Sequence, residues 1–160
     1  GANTLSLVEE ALRIKENLLR ENNQDFSEVW AVFDKDSFPP ANFDNAISKC
    51  AALGFRCAWS NEAFEIWYVF HFQSRITAMP RADYKAIISR ELSSKIGKSY
   101  TYAKNDPNIY KLLEEYGDET QAIRHTEAQN IHWASSGFPP SRQNPATQVY
   151  NLVKSLKEFI

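Results

Sequence analysis

The spacing of apolar residues predicts that the first half of the chain alternates between helices and strands. Apolar positions at helical intervals predict an amphipathic helix over residues 5–20. Residues 28–34 form a continuous apolar run rich in β-forming residues, which is typical of a fully buried parallel strand rather than an edge strand. Pro39 and Pro40 predict that the segment after this strand is a loop. The apolar face of the first helix is predicted to consist of Leu7, Ala11, Ile14 and Leu18.

The pattern continues with a helix, a strand and another helix. Asn42 or Asp44 can cap a helix that Gly54 ends. Residues 55–60 predict a second strand, and residues 63–72 predict the helix that follows it. Strand, helix, strand and helix in this order form a βαβα unit, so we expect an α/β fold with a small parallel sheet and flanking helices.

In the second half of the chain, the pattern of residues predicts only helices. They are separated by segments rich in Gly, Asn and Pro, and no repeat or heptad pattern is present. We therefore expect one domain over residues 1–160, with residues 83–160 as its helical part. The predicted helices span residues 83–96, 109–116, 119–135 and 147–160.

Composition and charge narrow the class of protein. Of 160 residues, 43% are hydrophobic and 24% are charged, which is typical of a globular domain. The net charge of −2 provides no global basic field, so any contact with nucleic acid would be local. Cys50 and Cys57 are too few for a disulfide scaffold and are not spaced for zinc. With no apolar run long enough to span a membrane, we expect a cytoplasmic protein with reduced thiols.

Carboxylates provide the clearest candidate chemistry. Asp34 and Asp36 follow the first predicted strand, at the edge of an open α/β sheet where ligands bind. Glu65 lies among large apolar residues in the first turns of the helix after the second strand, which places it at the same edge. Oxygen ligands of this kind suit Mg²⁺ or Mn²⁺. The alternative is that the aspartates form a solvated turn and that Glu65 lies on an exposed helical stripe.

Other polar residues give weaker hypotheses. His71 lies between Phe70 and Phe72, where a core histidine is more usual than a catalytic one, although catalysis is the alternative. Basic residues mixed with tyrosines in the second half could follow a nucleic-acid backbone, and a solvated helix surface explains them equally well. These residues are Arg81, Lys85, Arg90, Lys95, Lys98 and Lys104, with Tyr84, Tyr100 and Tyr102.

Three segments together resemble the RloB family. They are VWAVFDKD at 29–36, SNEAFEIWYVFHF at 60–72 and NPATQV at 144–149, and the pattern SNxxFExWxxxHF is the most specific. The resemblance implies a Toprim-like fold, akin to the nuclease domain of the OLD family. It also implies Mg²⁺-dependent cleavage of RNA or DNA in bacterial defence against phage, together with restriction or ATPase components. It assigns metal binding to Asp34 and Asp36 and a further acidic position to Glu65.

The chain departs from the Toprim-like pattern in one respect, and two other functions also fit its sequence. A Toprim-like site also uses a glutamate at the end of a first strand, and no strand precedes the helix at residue 5, so we expect this chain to lack that strand. An apolar strand ending in DxD also occurs in haloacid-dehalogenase phosphatases, although Ser37-Phe38 departs from their pattern. The third hypothesis is a non-catalytic subunit that binds nucleic acid or a partner through its helical half.

Overall fold

A computed structural model describes residues 4–160 of the chain. Over this range it contains seven α-helices, one short 3₁₀ helix (Pro140–Arg142) and three β-strands, which confirms the α/β class with a largely helical second half. The elements are α1 (Thr4–Asn22), β1 (Trp30–Asp34), α2 (Pro40–Ala52), β2 (Arg56–Asn61), α3 (Ile66–Phe70), α4 (Arg81–Ile96), α5 (Ile109–Tyr116), α6 (Glu119–Ala134), β3 (Ala146–Thr147) and α7 (Val149–Lys157).

The sheet is mixed, and its strand order in the described range is β1-β2-β3. β1 and β2 are parallel and place Asp34 opposite Ser60, as the predicted βαβ crossover requires. β3 is antiparallel to β2 and pairs Thr147 with Ser60. The predicted small parallel sheet is therefore confirmed only in part: the two predicted strands are parallel, the sheet as a whole is mixed, and a Toprim-like parallel sheet is not confirmed. β3 has only two residues and follows a proline, so its sequence carries no strand period.

β1 lies at one edge of this sheet, although its sequence predicted a fully buried strand. Ala31 and Phe33 are buried, whereas Val32 between them is 39% exposed. Side chains alternate between the two faces of a strand, so Val32 points away from the core that covers its neighbours. A continuous apolar run did not distinguish an edge strand from a central one here.

Two apolar clusters cover the two faces of β2. Ala58 belongs to a large cluster that includes α3, α4 and α7, whereas Trp59 belongs to a second cluster with α1 and α2. Because neighbouring strand residues face opposite sides, this division places helices on both faces of the sheet. The candidate residues lie at and beyond the carboxyl ends of β1 and β2, where Asp34 is half-buried while Ser60 and Asn61 at the end of β2 are buried.

Several predicted boundaries differ from the structure. α2 begins at Pro40, because proline is well tolerated in the first turn of a helix. Asp44 does not cap α2. Its carboxylate accepts hydrogen bonds from the backbone N–H and hydroxyl of Ser141, at 2.9 and 2.6 Å. In α1, the buried residues are Thr4 and Val8, whereas Leu7 and Ile14 of the predicted apolar face are 36% and 47% exposed.

None of the helices formed by residues 4–160 is both long enough and apolar enough to cross a membrane.

Candidate functional site

Asp34 and Glu65 come from separate stretches of the chain and line the same cavity. Asp34 is the last residue of β1, and Glu65 precedes the first turn of α3, four residues after the end of β2. The cavity has a volume of about 190 Å³, and we call it the acidic cavity. The structure therefore brings together two of the three predicted carboxylates. The acidic cavity is lined by Asp34, Phe64, Glu65, Tyr68, Tyr102 and Lys104, with Asn105 and Ile109.

Aromatic side chains form much of the wall of the acidic cavity. The rings of Phe64 and Tyr68 meet edge to face at 5.5 Å between centroids. Tyr102 is buried, and its hydroxyl donates a hydrogen bond to Glu65 Oε1 at 3.2 Å. This contact restricts the orientation of the Glu65 carboxylate. The walls also reduce the water around the two acids, which strengthens every charge interaction there.

The pKa of Asp34 is raised to about 6, mainly by burial and to a smaller extent by the negative charge of Glu65. A backbone hydrogen bond from Phe64 and the positive charges of Lys104 and Arg81 act in the opposite direction. Asp34 and Glu65 line the same cavity, so their negative charges repel each other when both are ionised. A cation between such groups would remove both the repulsion and much of the cost of burial.

Asp36, the third predicted carboxylate, is engaged elsewhere. Its backbone has a positive φ of 47°. Its Oδ1 accepts a hydrogen bond from the Ser37 N–H at 2.8 Å and forms an ion pair with Arg81. Both members of that pair are 41% exposed, and exposed pairs contribute about 0–1 kcal/mol. Within residues 4–160, no group of three or more His, Cys, Asp or Glu side chains is spaced to hold a metal ion.

Glu62 fixes the loop and the helix that carry this ion pair. Its backbone carbonyl accepts from the Asp36 N–H at 2.9 Å. Its carboxylate accepts from the Arg81 backbone N–H at 3.0 Å and from Asn144 Nδ2 at 3.3 Å. Glu62 was not among the predicted site residues, because nothing in the local pattern SNEAF at 60–64 indicates contacts with Asp36, Arg81 and Asn144. Glu62 acts on the position of Arg81 and Asp36 rather than on the cavity itself.

A second cavity, which we call the basic cavity, adjoins the acidic one. Its volume is about 340 Å³, and Glu65, Tyr102 and Lys104 line both cavities. The basic cavity is lined by three cationic side chains, which are Lys104 and, from α4, Arg81 and Lys85. Half of the six predicted basic residues thus converge beside the carboxylates. Arg90 and Lys95 line other cavities, and Lys98 is exposed after the end of α4.

His71 lies apart from the carboxylates, at the opposite end of α3 from Glu65. It is 7% exposed, and neither ring nitrogen has a hydrogen-bond partner among the described residues. Gly117 packs against the ring so closely that a Cβ there would lie 2.8 Å from His71 Nδ1. Burial lowers the pKa of His71 to about 4, so the ring is neutral at pH 7. It borders a separate cavity of about 390 Å³ that Lys95 and His125 also line, which we call the histidine cavity.

The residues of the acidic cavity fit a divalent cation that a substrate helps to bind. Mg²⁺ is commonly held by one or two carboxylates together with substrate phosphates. Asp34 and Glu65 provide two carboxylates, and burial together with the charge of Glu65 disfavours the charged form of Asp34. Lys104, on the same wall, is suitably placed to contact a phosphate oxygen. The site thus offers partial coordination rather than a closed cage.

Comparison with known proteins gives one match. The model of the family described as RloB-like protein matches residues 1–156, which include all three segments of the predicted resemblance. No curated protein and no solved structure matches the chain significantly.

Proposed function

The chain belongs to the RloB-like protein family, and we propose that it is a metal-dependent nuclease that hydrolyses phosphodiester bonds of RNA or DNA in bacterial defence against phage. One observation carries the catalytic part of this proposal. Asp34 and Glu65 line one partly buried cavity, and three cations stand on that cavity and the one beside it. Carboxylates support binding of Mg²⁺ or Mn²⁺, and the neighbouring cations support binding of phosphate.

Each group has a defined role in the proposed reaction. Asp34 and Glu65 would hold the cation, which would supply activation of a water molecule and stabilisation of negative charge on the phosphate. Tyr102 holds the Glu65 carboxylate in place through its hydroxyl. Lys104, between the two cavities, and Lys85 contact phosphates of the nucleic acid. The aromatic wall excludes water other than the nucleophile.

The experiment is a cleavage assay with Mn²⁺ or Mg²⁺ on single-stranded and duplex RNA and DNA. Asp34→Asn is expected to abolish cleavage, because the amide keeps the shape of the side chain but loses the charge that binds the cation. Glu114→Gln is the matched control, since Glu114 is an exposed carboxylate whose hydrogen-bond partner is Tyr110 on the same helix. Cleavage by Asp34→Asn at the rate of the unmodified protein would refute the proposal.

The second candidate function is binding of nucleic acid without cleavage, and the ion pair that engages Asp36 favours it. The ion pair with Arg81 leaves two carboxylates rather than three in the acidic cavity, while the basic cavity can bind phosphate without any reaction. Retention of RNA or DNA without cleavage under every metal condition would support this candidate. A phosphatase of the haloacid-dehalogenase type would instead trap beryllium fluoride on Asp34, and the engaged Asp36 does not favour that reaction.

A further inference from the structure

Arg81 occupies a position between two sites that attract its charge. Its guanidinium forms the ion pair with Asp36, and its side chain also lines the basic cavity with Glu65 and Lys104. The Arg81 backbone is fixed separately, because its N–H donates to Glu62 Oε2 at 3.0 Å. The guanidinium can therefore change partner without movement of α4.

We propose that Arg81 is an exchangeable counter-ion that withholds Asp36 from the divalent cation until a phosphate group enters the basic cavity. The guanidinium then leaves Asp36 for the phosphate, and the free Asp36 carboxylate joins Asp34 and Glu65 as a third oxygen ligand. This inference rests on the proposed function, because it assumes that Asp34 and Glu65 bind the cation. It assigns to Arg81 a positioning role that acts through Asp36.

The strengths of the two contacts favour such an exchange. Both members of the Arg81–Asp36 pair are 41% exposed, so water and salt weaken their attraction. A phosphate offers the guanidinium two parallel hydrogen bonds in a cavity that already contains Lys85 and Lys104. An anion in the basic cavity thus competes effectively for Arg81.

The exchange predicts that phosphate and metal bind cooperatively. A phosphate that removes Arg81 from Asp36 increases the affinity for the cation, and by linkage the cation increases the affinity for phosphate by the same factor. Without phosphate, the cation is held by two carboxylates. The third ligand becomes available only when a substrate is present to be cleaved.

The test is a titration with Mn²⁺ alone, followed by electron paramagnetic resonance of the free ion. Arg81→Gln is expected to bind Mn²⁺ about fivefold more tightly than the unmodified protein, because Asp36 is free in this variant. Lys104→Gln is the matched control. Lys104 also acts on the charge of Asp34 but forms no ion pair with Asp36, so this variant reports the effect of a lost positive charge alone.

Asp36→Asn separates the effect of a released Asp36 carboxylate from the effect of a lost positive charge. Added to Arg81→Gln, it is expected to reverse the fivefold gain, whereas in the unmodified protein and in Lys104→Gln it changes Mn²⁺ affinity by less than about twofold. Dimethyl phosphate, a soluble phosphodiester, is expected to tighten Mn²⁺ binding of the unmodified protein and not of Arg81→Gln.

The outcomes distinguish the inference from the proposed function. If Asp36→Asn has the same effect in all three backgrounds while Asp34→Asn weakens Mn²⁺ binding, the exchange is refuted and the metal site stands. If Mn²⁺ binds to neither the unmodified protein nor Arg81→Gln, the metal site fails, and the exchange fails with it.

Discussion

The two ends of the short helix α3 carry two titratable side chains, the partly buried Glu65 and the buried His71, in contrasting surroundings. Glu65 precedes the helix and faces the acidic cavity with Asp34, while His71 follows it, roughly 9 Å further along at 1.5 Å per residue. Burial disfavours the charged forms of Asp34, beside Glu65, and of His71, since it raises the pKa of Asp34 to about 6 and lowers that of His71 to about 4.

The difference lies in what surrounds each group. Asp34 has a second carboxylate and two cations close enough to change its pKa. His71 also has charged neighbours, Asp118 and Glu119, and borders the histidine cavity. Neither of its ring nitrogens has a hydrogen-bond partner among the described residues, however, and Gly117 closes the space beside Nδ1. A perturbed pKa alone therefore does not identify a functional group. A second carboxylate in the same cavity and three cations on that cavity and the adjoining one make Asp34 the better candidate for a metal and phosphate site.

The largest expected effect contrasts Glu65→Gln with His71→Phe in the Mn²⁺-dependent cleavage assay. Glu65→Gln removes one of two charged ligands and is expected to lower the rate at least about 100-fold, or roughly 3 kcal/mol in the barrier. His71→Phe keeps an aromatic ring in place and is expected to leave the rate within about threefold of the original, because the ring lies at the other end of α3. A similar loss in both variants would place His71 in the reaction after all.

The second effect is the pH dependence of stability that His71 causes. Its pKa in the folded protein is about 4, below its ordinary value of 6.5, so the unfolded chain binds the proton more tightly. The contribution of neutral His71 is fully present above pH 6.5 and is lost as the pH falls toward 4, by up to about 3 kcal/mol. Urea unfolding of His71→Phe should show a weaker loss over this range. If the free energy of unfolding falls equally with pH in the unmodified protein and in His71→Phe, burial of His71 is not the cause of the loss.

For Asp34, we expect a smaller dependence of stability on pH, and one of opposite sign. Its folded-state pKa is raised above the ordinary 3.8, so its contribution to stability is present below about pH 4 and is lost as the pH rises through 6. Asp34→Asn avoids this loss. Without divalent metal at pH 7.5, it should be more stable by about 1–2 kcal/mol, a value reduced for partial exposure. The gain should vanish near pH 3.5, and a destabilised Asn variant at pH 7.5 would contradict the account.

The sequence predicted the parts of the fold that depend on local pattern. β2, α5 and α6 agree with their predicted spans to within about one residue, because apolar period and turn residues define them. β3 could not be predicted, since its two residues are a strand only through their pairing with Ser60 and Asn61. The exposure of Val32 likewise depends on which strands adjoin β1, and local sequence does not carry that information.

The candidate site was predictable to a similar extent. The meeting of Asp34 and Glu65 follows from parallel strands whose carboxyl ends share one edge. The ion pair of Asp36 joins residues 45 positions apart, and no local pattern indicates it. Tyr102 and Lys104 belonged to a group of basic and aromatic residues whose positions in space were unknown. Their place on the acidic cavity depends on how the segment after α4 returns across α3.

The most direct test of the central claim is the pKa of the Asp34 carboxyl with and without Mg²⁺, measured by carbon NMR on protein with labelled aspartate and assigned with Asp34→Asn. Without Mg²⁺ we expect a value of about 6, because burial and Glu65 disfavour the charged form. Saturating Mg²⁺ should lower it by at least about one pH unit, since a bound cation favours the carboxylate. A pKa that Mg²⁺ leaves unchanged would contradict the claim that Asp34 and Glu65 hold a divalent cation.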